Sequence, residues 1–330
     1  MSAEFPRTIP IPTKALEGHA GRLDANARTS RGPLSGHCAV PGGRIWYEQL
    51  NATAVGTPIL VVHGGPATPH DYLRALAALV PEHPLIVYDQ LGCGRSDQPE
   101  EASLWRLERF VAELEALVRH LELGAFHLLA HSAGSMIACD YALTKPKALR
   151  GLVLVSPVLS VRQHQLEMQQ LLAKMPAELS RPLMLAINGE PTSSLDLLEA
   201  NLYFAEQWMC RVSPWPDELM DVSSNTNARV RDALWGKTEF RVTGTLRNYE
   251  RLEHLPALST PTLLICGQHD FTTPRLCGRY SQALPKGELV VIDDASHMAH
   301  LEQPQRFAHA LKPFLRRVDE ASHAGLAPGA

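Results

Sequence analysis

The fold is decided by the stretch His127-Leu-Leu-Ala-His-Ser-Ala-Gly-Ser-Met136. A short apolar run ends at Leu129, small residues follow, and a helix-compatible stretch begins at Ser135. A strand, a sharp turn and a helix in this order form the context in which the pattern G-x-S-x-G presents a serine at the end of a sheet. Here Ala130 replaces the first glycine, so the pattern reads A-x-S-x-G. Ser132 is therefore a candidate nucleophile, although serine in a turn of small residues is more often structural.

Apolar runs of strand length alternate with helix-compatible stretches on both sides of this turn. The predicted buried strands are Pro58–His63, Pro84–Asp89, Leu152–Ser156, Pro261–Gly267 and Glu288–Ile292, and Arg44–Leu50 is predicted as an outer strand. Continuous apolar runs are typical of strands covered on both faces, and Ser103–Leu123 has the apolar face of an amphipathic helix. The pattern predicts an α/β fold with a mostly parallel, doubly wound sheet.

The alternation stops near Val158 and resumes after residue 241. The intervening chain has helical segments such as Val161–Lys174 and Leu195–Met209 and no convincing strand, which predicts a helical cap inserted over the sheet. The predicted organisation is an extended or partly disordered lead-in (1–35), a first core part (36–158), a helical cap (159–241), a second core part (242–318) and a disordered tail (319–330).

Composition excludes several classes of protein. The chain has 330 residues and a formal charge of −4 without a basic block, so nucleic acid and anionic membrane are poor partners. No secretory signal and no apolar run of about 20 residues is visible. The six cysteines are scattered without C-x-x-C spacing, which argues against a zinc site and favours reduced thiols. We expect a cytoplasmic protein without metal or organic cofactor, and the oligomeric state stays open.

An activated serine needs a base, and the base needs an acid that orients it. Asp270 lies three residues past the strand ending at Gly267, and His297 follows the last strand. The order Ser132, Asp270, His297 is typical of the α/β-hydrolase arrangement. The alternatives are His300 as the base and Asp293 or Asp294 as the acid.

The same chemistry needs backbone N–H groups directed at the oxyanion that forms on the substrate. The candidate donors are the N–H of Ala133, which follows Ser132, and the N–H of Gly65 in the turn after His63. Glycine at positions 64 and 65 permits the close backbone approach that this role requires. Gly64 and Gly65 are therefore predicted to line the substrate site.

With these residues in place, the chain resembles the proline iminopeptidase family of α/β hydrolases, and within it the tricorn-interacting aminopeptidase branch, over about residues 40–316. The stretch His63–Pro66 is similar to the family's HGGPG segment, and Asp89–Ser96 is similar to its DQxGxGxS segment. In the cap, Glu239-Phe240 followed by Thr243–Thr245 is similar to the NEF…TGT stretch of that branch. The resemblance implies a triad of Ser132, Asp270 and His297, an oxyanion hole of Gly65 and Ala133, and a cap that admits short substrates with a free amino terminus.

The resemblance also implies that carboxylates hold the substrate's α-ammonium group. Glu239 matches one of them, but the second, directly after the triad aspartate, is replaced here by Phe271. Glu199 on the preceding cap helix is a candidate for its replacement. Ala133 stands where the family has an aromatic residue, which predicts a roomier acyl site.

The first hypothesis is a serine hydrolase that releases an N-terminal proline or other small residue from short peptides or amides through an acyl-enzyme. The alternative is an amino-acid amidase, esterase or lactonase for a small acyl metabolite, including an enzyme that removes an aminoacyl group in a biosynthetic pathway. A third hypothesis is a non-catalytic binding protein of this fold; it is disfavoured because such a protein would lack part of the triad, and all three candidate members are present here. Epoxide hydrolases and dehalogenases would carry aspartate where Ser132 lies.

Overall fold

A computed structural model of the protein describes residues 34–324, and its strands form one sheet. The strands are β1 (Leu34–Val40), β2 (Gly43–Leu50), β3 (Ile59–Val62), β4 (Leu85–Tyr88), β5 (Phe126–His131), β6 (Leu149–Val155), β7 (Thr262–Gly267) and β8 (Gly287–Ile292). Their order in the sheet is β1-β2-β4-β3-β5-β6-β7-β8. The pairs β1–β2 and β2–β4 are antiparallel, and every pair from β4 to β8 is parallel. The predicted α/β-hydrolase fold with a mostly parallel, doubly wound sheet is confirmed.

The helices connect these strands and cover the sheet. They are α1 (Leu76–Leu79), α2 (Leu107–His120), α3 (Gly134–Leu143), α4 (Val161–Leu172), α5 (Ala177–Ile187), α6 (Ser194–Phe204), α7 (Asp217–Ser224), α8 (Ala228–Leu234), α9 (Pro274–Ala283), α10 (Ala299–Glu302) and α11 (Pro304–Ala324). Short 3₁₀ turns lie at Asp71–Leu73, Ala102–Leu104, Thr245–Asn248 and Leu252–Ala257. Within residues 34–324, no helix combines the length and the apolar character that crossing a bilayer requires.

The central strands are buried on both faces because helices cover both sides of the sheet. Successive side chains of a strand point to opposite faces. Leu128 accordingly belongs to one apolar core and Leu129 to the other. This two-sided burial explains why the strands are unbroken apolar runs in the sequence.

Two boundaries differ from the predicted ones. Leu34 and Ser35 were assigned to the lead-in, but they begin the edge strand β1. Only Cys38 of this strand is buried, so β1 is stabilised by backbone pairing with β2 rather than by apolar side chains. The predicted disordered tail is wrong for residues 319–324, because α11 continues to Ala324. Asp319 accepts hydrogen bonds from His127 and Thr57, which attach this last part of the helix to the core. The rest of the lead-in (1–33) and of the tail (325–330) lies outside the described residues.

Helices α4 to α8, together with the π-helical turn Ala205–Met209, are called the cap here. They fall within the range 159–241 for which helices were predicted. The predicted helix Leu195–Met209 is α6 followed by this π-helical turn. The cap has an apolar cluster of its own, which includes Met168, Leu183 and Phe204 and also Phe271 from the core.

Candidate active site

Ser132 lies in a strained turn between β5 and α3. Its φ is +52°, in the left-handed region that residues with a Cβ rarely adopt. The turn is held by the Ser132 N–H, which donates to Val155 O at 2.9 Å, and by the Ser135 hydroxyl, which donates to Ser132 O at 2.5 Å. Gly134 and Gly64 leave room for the neighbouring backbone, since a Cβ on Gly64 would lie 2.9 Å from the Ser132 Cβ. These contacts offset the cost of the strain and present Ser132 at the carboxyl edge of the sheet.

Asp270 and His297 meet at this edge because each follows one of two adjacent parallel strands, β7 and β8. His297 Nδ1 and Asp270 Oδ1 are 2.9 Å apart, and both side chains are buried. The Thr272 N–H donates to the same carboxylate oxygen at 2.8 Å. A carboxylate accepts, so His297 donates from Nδ1 and its Nε2 is free to take a proton. Among the described residues, neither Nε2 nor the Ser132 hydroxyl has a hydrogen-bond partner, and both residues line one cavity.

The candidate oxyanion donors also lie beside Ser132. Gly65, at φ +113°, lines the cavity, and Ala133 is the residue from which α3 starts. Neither N–H donates to an acceptor within the described part of the chain. The amino end of a helix carries partial positive charge, which favours an anion there.

A hydrogen-bonded chain connects the two loops of the site. The Gly64 N–H donates to the Tyr72 hydroxyl at 2.9 Å, this hydroxyl lies 2.8 Å from His131 Nδ1, and His131 Nε2 lies 3.1 Å from His297 O. A carbonyl can only accept, so His131 donates from Nε2 and accepts the Tyr72 hydroxyl proton at Nδ1. Burial lowers the pKa of His131 well below its usual value, in agreement with this neutral form. Tyr72 and His131 were not among the predicted site residues; His131 directly precedes Ser132 and was expected to pack beneath the turn, whereas no local pattern marks Tyr72.

The loop that carries His297 is also attached to the cap. The N–H groups of His297 and Met298 donate to the carbonyls of Trp208 and Met209 in the π-helical turn, at 3.2 and 3.0 Å. The carboxylate of Glu302 joins the same two regions. It accepts from the N–H groups of Ser296, Met298 and Arg211 and from the Ser296 hydroxyl. A displacement of this part of the cap would therefore disturb the position of His297.

A cavity of about 120 Å³ lies between the Ser132 turn and the cap. It is lined by Gly65, Thr68, Tyr72, His131, Ser132, Met209, Trp215, Leu219, Val222, Thr226, Arg231, Glu239, Phe271, His297 and Met298. Glu239 is partly buried and lies 3.3 Å from Arg231 (Oε1 to Nη1). Burial raises the pKa of Glu239, and the Arg231 guanidinium opposes this rise. The ring of Phe271 stacks on His297, with centroids 3.8 Å apart and planes inclined by 23°.

The structure does not bring the remaining candidates to the cavity. Glu199 is exposed and absent from the cavity wall, because α6 turns Leu197, Ala200 and Phe204 inward. The two alternative acids, Asp293 and Asp294, are exposed and pair with Arg306. The alternative base, His300, is buried away from the cavity and bonds Tyr72 O at 3.1 Å.

Three potential metal ligands also lie together: His63, Asp89 and Cys93 have ligand atoms within 4.8 Å of one another. His63 Nε2 accepts the Gln90 N–H at 2.9 Å, and Asp89 Oδ1 lies 2.7 Å from His70 Nδ1. The Cys93 thiol in turn donates to Gln90 O at 3.2 Å. Because each of the three side chains already has a protein partner, the cluster fits a structural network that supports the loop after β4 rather than a metal centre.

Known proteins agree with this architecture. The family model of the alpha/beta hydrolase fold matches residues 57–304. Proline iminopeptidase of Heyndrickxia coagulans is 34% identical, and the match covers 86% of this chain and 99% of that protein. Proline iminopeptidase of Lactiplantibacillus plantarum is 31% identical, and the match covers 80% of this chain and 93% of that protein. Among solved structures, proline iminopeptidase of Mycobacterium smegmatis has a TM-score of 0.79 at 29% identity over 88% of this chain and 100% of its own. VinJ has a TM-score of 0.82 at 29% identity over 87% and 100%. The chain therefore belongs to the proline iminopeptidase family of α/β hydrolases.

Proposed function

We propose that the protein is a serine hydrolase that releases an N-terminal proline, or another small residue, from short peptides or amides. The observation that carries the proposal is the buried Asp270–His297 pair, whose histidine lines the same cavity as the strained Ser132 and the carboxylate of Glu239. The named activity of the relatives, proline iminopeptidase, supports the same conclusion.

In the proposed mechanism, His297 Nε2 takes the proton of the Ser132 hydroxyl as its oxygen attacks the substrate carbonyl. Asp270 holds the imidazole through Nδ1 and stabilises its positive charge. The N–H groups of Gly65 and Ala133 stabilise the oxyanion. His297 then gives its proton to the leaving amine, and water cleaves the acyl-enzyme by the same route.

The size and charge of the cavity support a small substrate with a positive charge. The cavity beside Ser132 has a volume of about 120 Å³, somewhat below the roughly 150 Å³ of a cavity that holds benzene, so it offers room for a small acyl group. Glu239 provides a carboxylate beside this space, and a desolvated ammonium group needs such a partner. Glu199 has no role in this proposal because it lies outside the cavity wall.

The alternative is an esterase, lactonase or amidase that does not require an ammonium group. Phe271 favours it, because this ring occupies the position of a second carboxylate and adds an apolar surface to the cavity. Both functions use Ser132, Asp270 and His297, and they differ in whether Glu239 binds an ammonium group of the substrate.

The proposed cytoplasmic location is supported by the six cysteines, which are all buried and free.

The test compares kcat/KM for a prolyl aryl amide, its N-acetylated form and a simple aryl ester. The proposal predicts that the free-amine amide is strongly preferred and that Ser132→Ala lowers its turnover by about 10⁴-fold or more. Ester cleavage together with indifference to N-acetylation would contradict the aminopeptidase function and support the alternative. A folded protein that is inactive on all three substrates would instead support a binding protein or a more specialised substrate.

A further inference from the structure

Glu239 has a charged partner that the sequence did not reveal. Arg231, on α8, has a side chain only 9% exposed and lines the cavity together with Glu239. Its Nη1 donates to Glu239 Oε1 at 3.3 Å, and its Nη2 donates to Asp232 Oδ1 at 3.1 Å and to Lys237 O at 3.2 Å. The guanidinium is therefore held between two carboxylates.

This arrangement leaves part of Glu239 available to a substrate. Arg231 bonds one carboxylate oxygen, while Oε2 has no partner within the described residues and the side chain is 31% exposed. Glu239 is the one carboxylate among the described residues that line the cavity, since Asp232 is absent from the cavity wall. The cavity thus keeps one carboxylate, that of Glu239, although Phe271 contributes none.

The other titratable groups near Glu239 do not replace Arg231. His164 is buried, and burial lowers its pKa to about 4, so it is neutral near pH 7. His297 is a member of the Asp270 pair and affects catalysis with every substrate. Lys237 contributes its carbonyl to Arg231 and has an exposed side chain. Arg231 is therefore the permanent cation beside Glu239, and its guanidinium opposes the rise in the pKa of this carboxyl that burial causes.

On the basis of the function proposed above, we propose that Arg231 is a specificity-determining residue for acyl groups with a protonated α-amine. It keeps Glu239 charged in a partly buried cavity and leaves Oε2 free for the ammonium group. Because a single carboxylate is offered, the preference for an amine over its uncharged isostere is about 10- to 100-fold, the value of one charge-assisted hydrogen bond.

The experiment measures kcat/KM for prolyl p-nitroanilide and for cyclopentanecarbonyl p-nitroanilide, which has the same ring shape without the amine. The ratio of the two values, followed from pH 5 to 8, removes every effect of pH that the two substrates share, because both react through the same three residues. Only ionised Glu239 holds the ammonium, so the ratio falls as the pH drops through the pKa of Glu239. An adjacent cation lowers a carboxyl pKa by about 1 unit or more.

In Arg231→Met, this fall should therefore begin about one pH unit higher than in the wild type. Arg231→Gln, which keeps a hydrogen-bonding group without charge, should show the same shift and serves if the methionine variant does not fold. Arg231→Lys should restore a curve near that of the wild type. Glu239→Gln should make the ratio flat. The matched control is Arg229→Met, because Arg229 lies on the same helix and makes an exposed pair with Glu100.

The possible failures can be told apart. If the wild type prefers the amine but Arg231→Met and Arg231→Gln keep its curve, Arg231 does not set this specificity and the proposed function is unaffected. A wild-type ratio that is flat and near one would overturn ammonium recognition itself, and the inference with it. An equal shift in Arg229→Met would show a general effect of charge and would also overturn the role of Arg231.

Discussion

Replacing Tyr72 by phenylalanine should destabilise the protein much more than the same replacement at Tyr88. The Tyr72 hydroxyl bonds the Gly64 N–H at 2.9 Å and His131 Nδ1 at 2.8 Å, and all three residues are buried. Its removal leaves two buried polar atoms without a partner, at about 1–3 kcal/mol each. We expect a loss of about 2–6 kcal/mol in the free energy of unfolding, a large share of the 5–15 kcal/mol that is typical of a folded domain.

Tyr88 provides the matched control for this prediction. Its hydroxyl is fully buried and has no hydrogen-bond partner among the described residues. Tyr88→Phe removes the same atom without breaking a bond, so we expect a change within about 0.5 kcal/mol or a slight stabilisation. Both variants are compared by urea unfolding, with unchanged m-values as the test that the denatured states are alike.

Activity adds a second measurement for the same pair. Gly64 adjoins Gly65, a proposed oxyanion donor, so Tyr72→Phe should lower kcat more than it raises KM, because the oxyanion exists only after attack on the carbonyl. Tyr88→Phe should leave both constants near those of the wild type. Equal losses of stability in the two variants, within about 0.5 kcal/mol, would refute the view that the Tyr72 hydroxyl connects the two loops of the site.

Two further substitutions test the geometry of the site. Asp270→Asn should lower kcat by about 10⁴-fold, because the amide favours the wrong tautomer of His297, and it should change the thermal midpoint of unfolding little. A kcat within tenfold of the wild-type value would show that Asp270 does not take part in the mechanism. Gly134→Ala should lower the free energy of unfolding by about 2 kcal/mol or more, because the added Cβ would collide with the His63 carbonyl oxygen. Gly124 is the matched control, since an added Cβ there would have no heavy atom within 4 Å. Gly124→Ala should therefore change the free energy of unfolding by no more than about 0.5 kcal/mol. Chemical denaturation of the two glycine variants makes this comparison, and similar losses would contradict the predicted collision.

The sequence by itself predicted the central sheet and the edge of the sheet at which the three principal candidate site residues lie. Strands buried on both faces appear as continuous apolar runs, and the carboxyl ends of parallel strands meet at one edge. Ser132, Asp270 and His297 lie in the loops that follow three such runs, so they can be placed together from the order of runs along the chain. The edge strand β1 escaped this reasoning because pairing with its neighbour, rather than an apolar pattern, stabilises it.

Only the tertiary structure decided which polar side chains surround these three residues. Tyr72 and His131 are joined across 59 positions of the chain, and neither position has a local pattern that announces the bond. Arg231 lies beside Glu239 because of how α8 and the following loop pack, while Glu199 faces solvent because α6 turns its apolar face inward. The direction of a side chain depends on the packing of its whole element. The sequence therefore predicts that Ser132, Asp270 and His297 lie together, whereas the polar side chains around them are readable only from the fold.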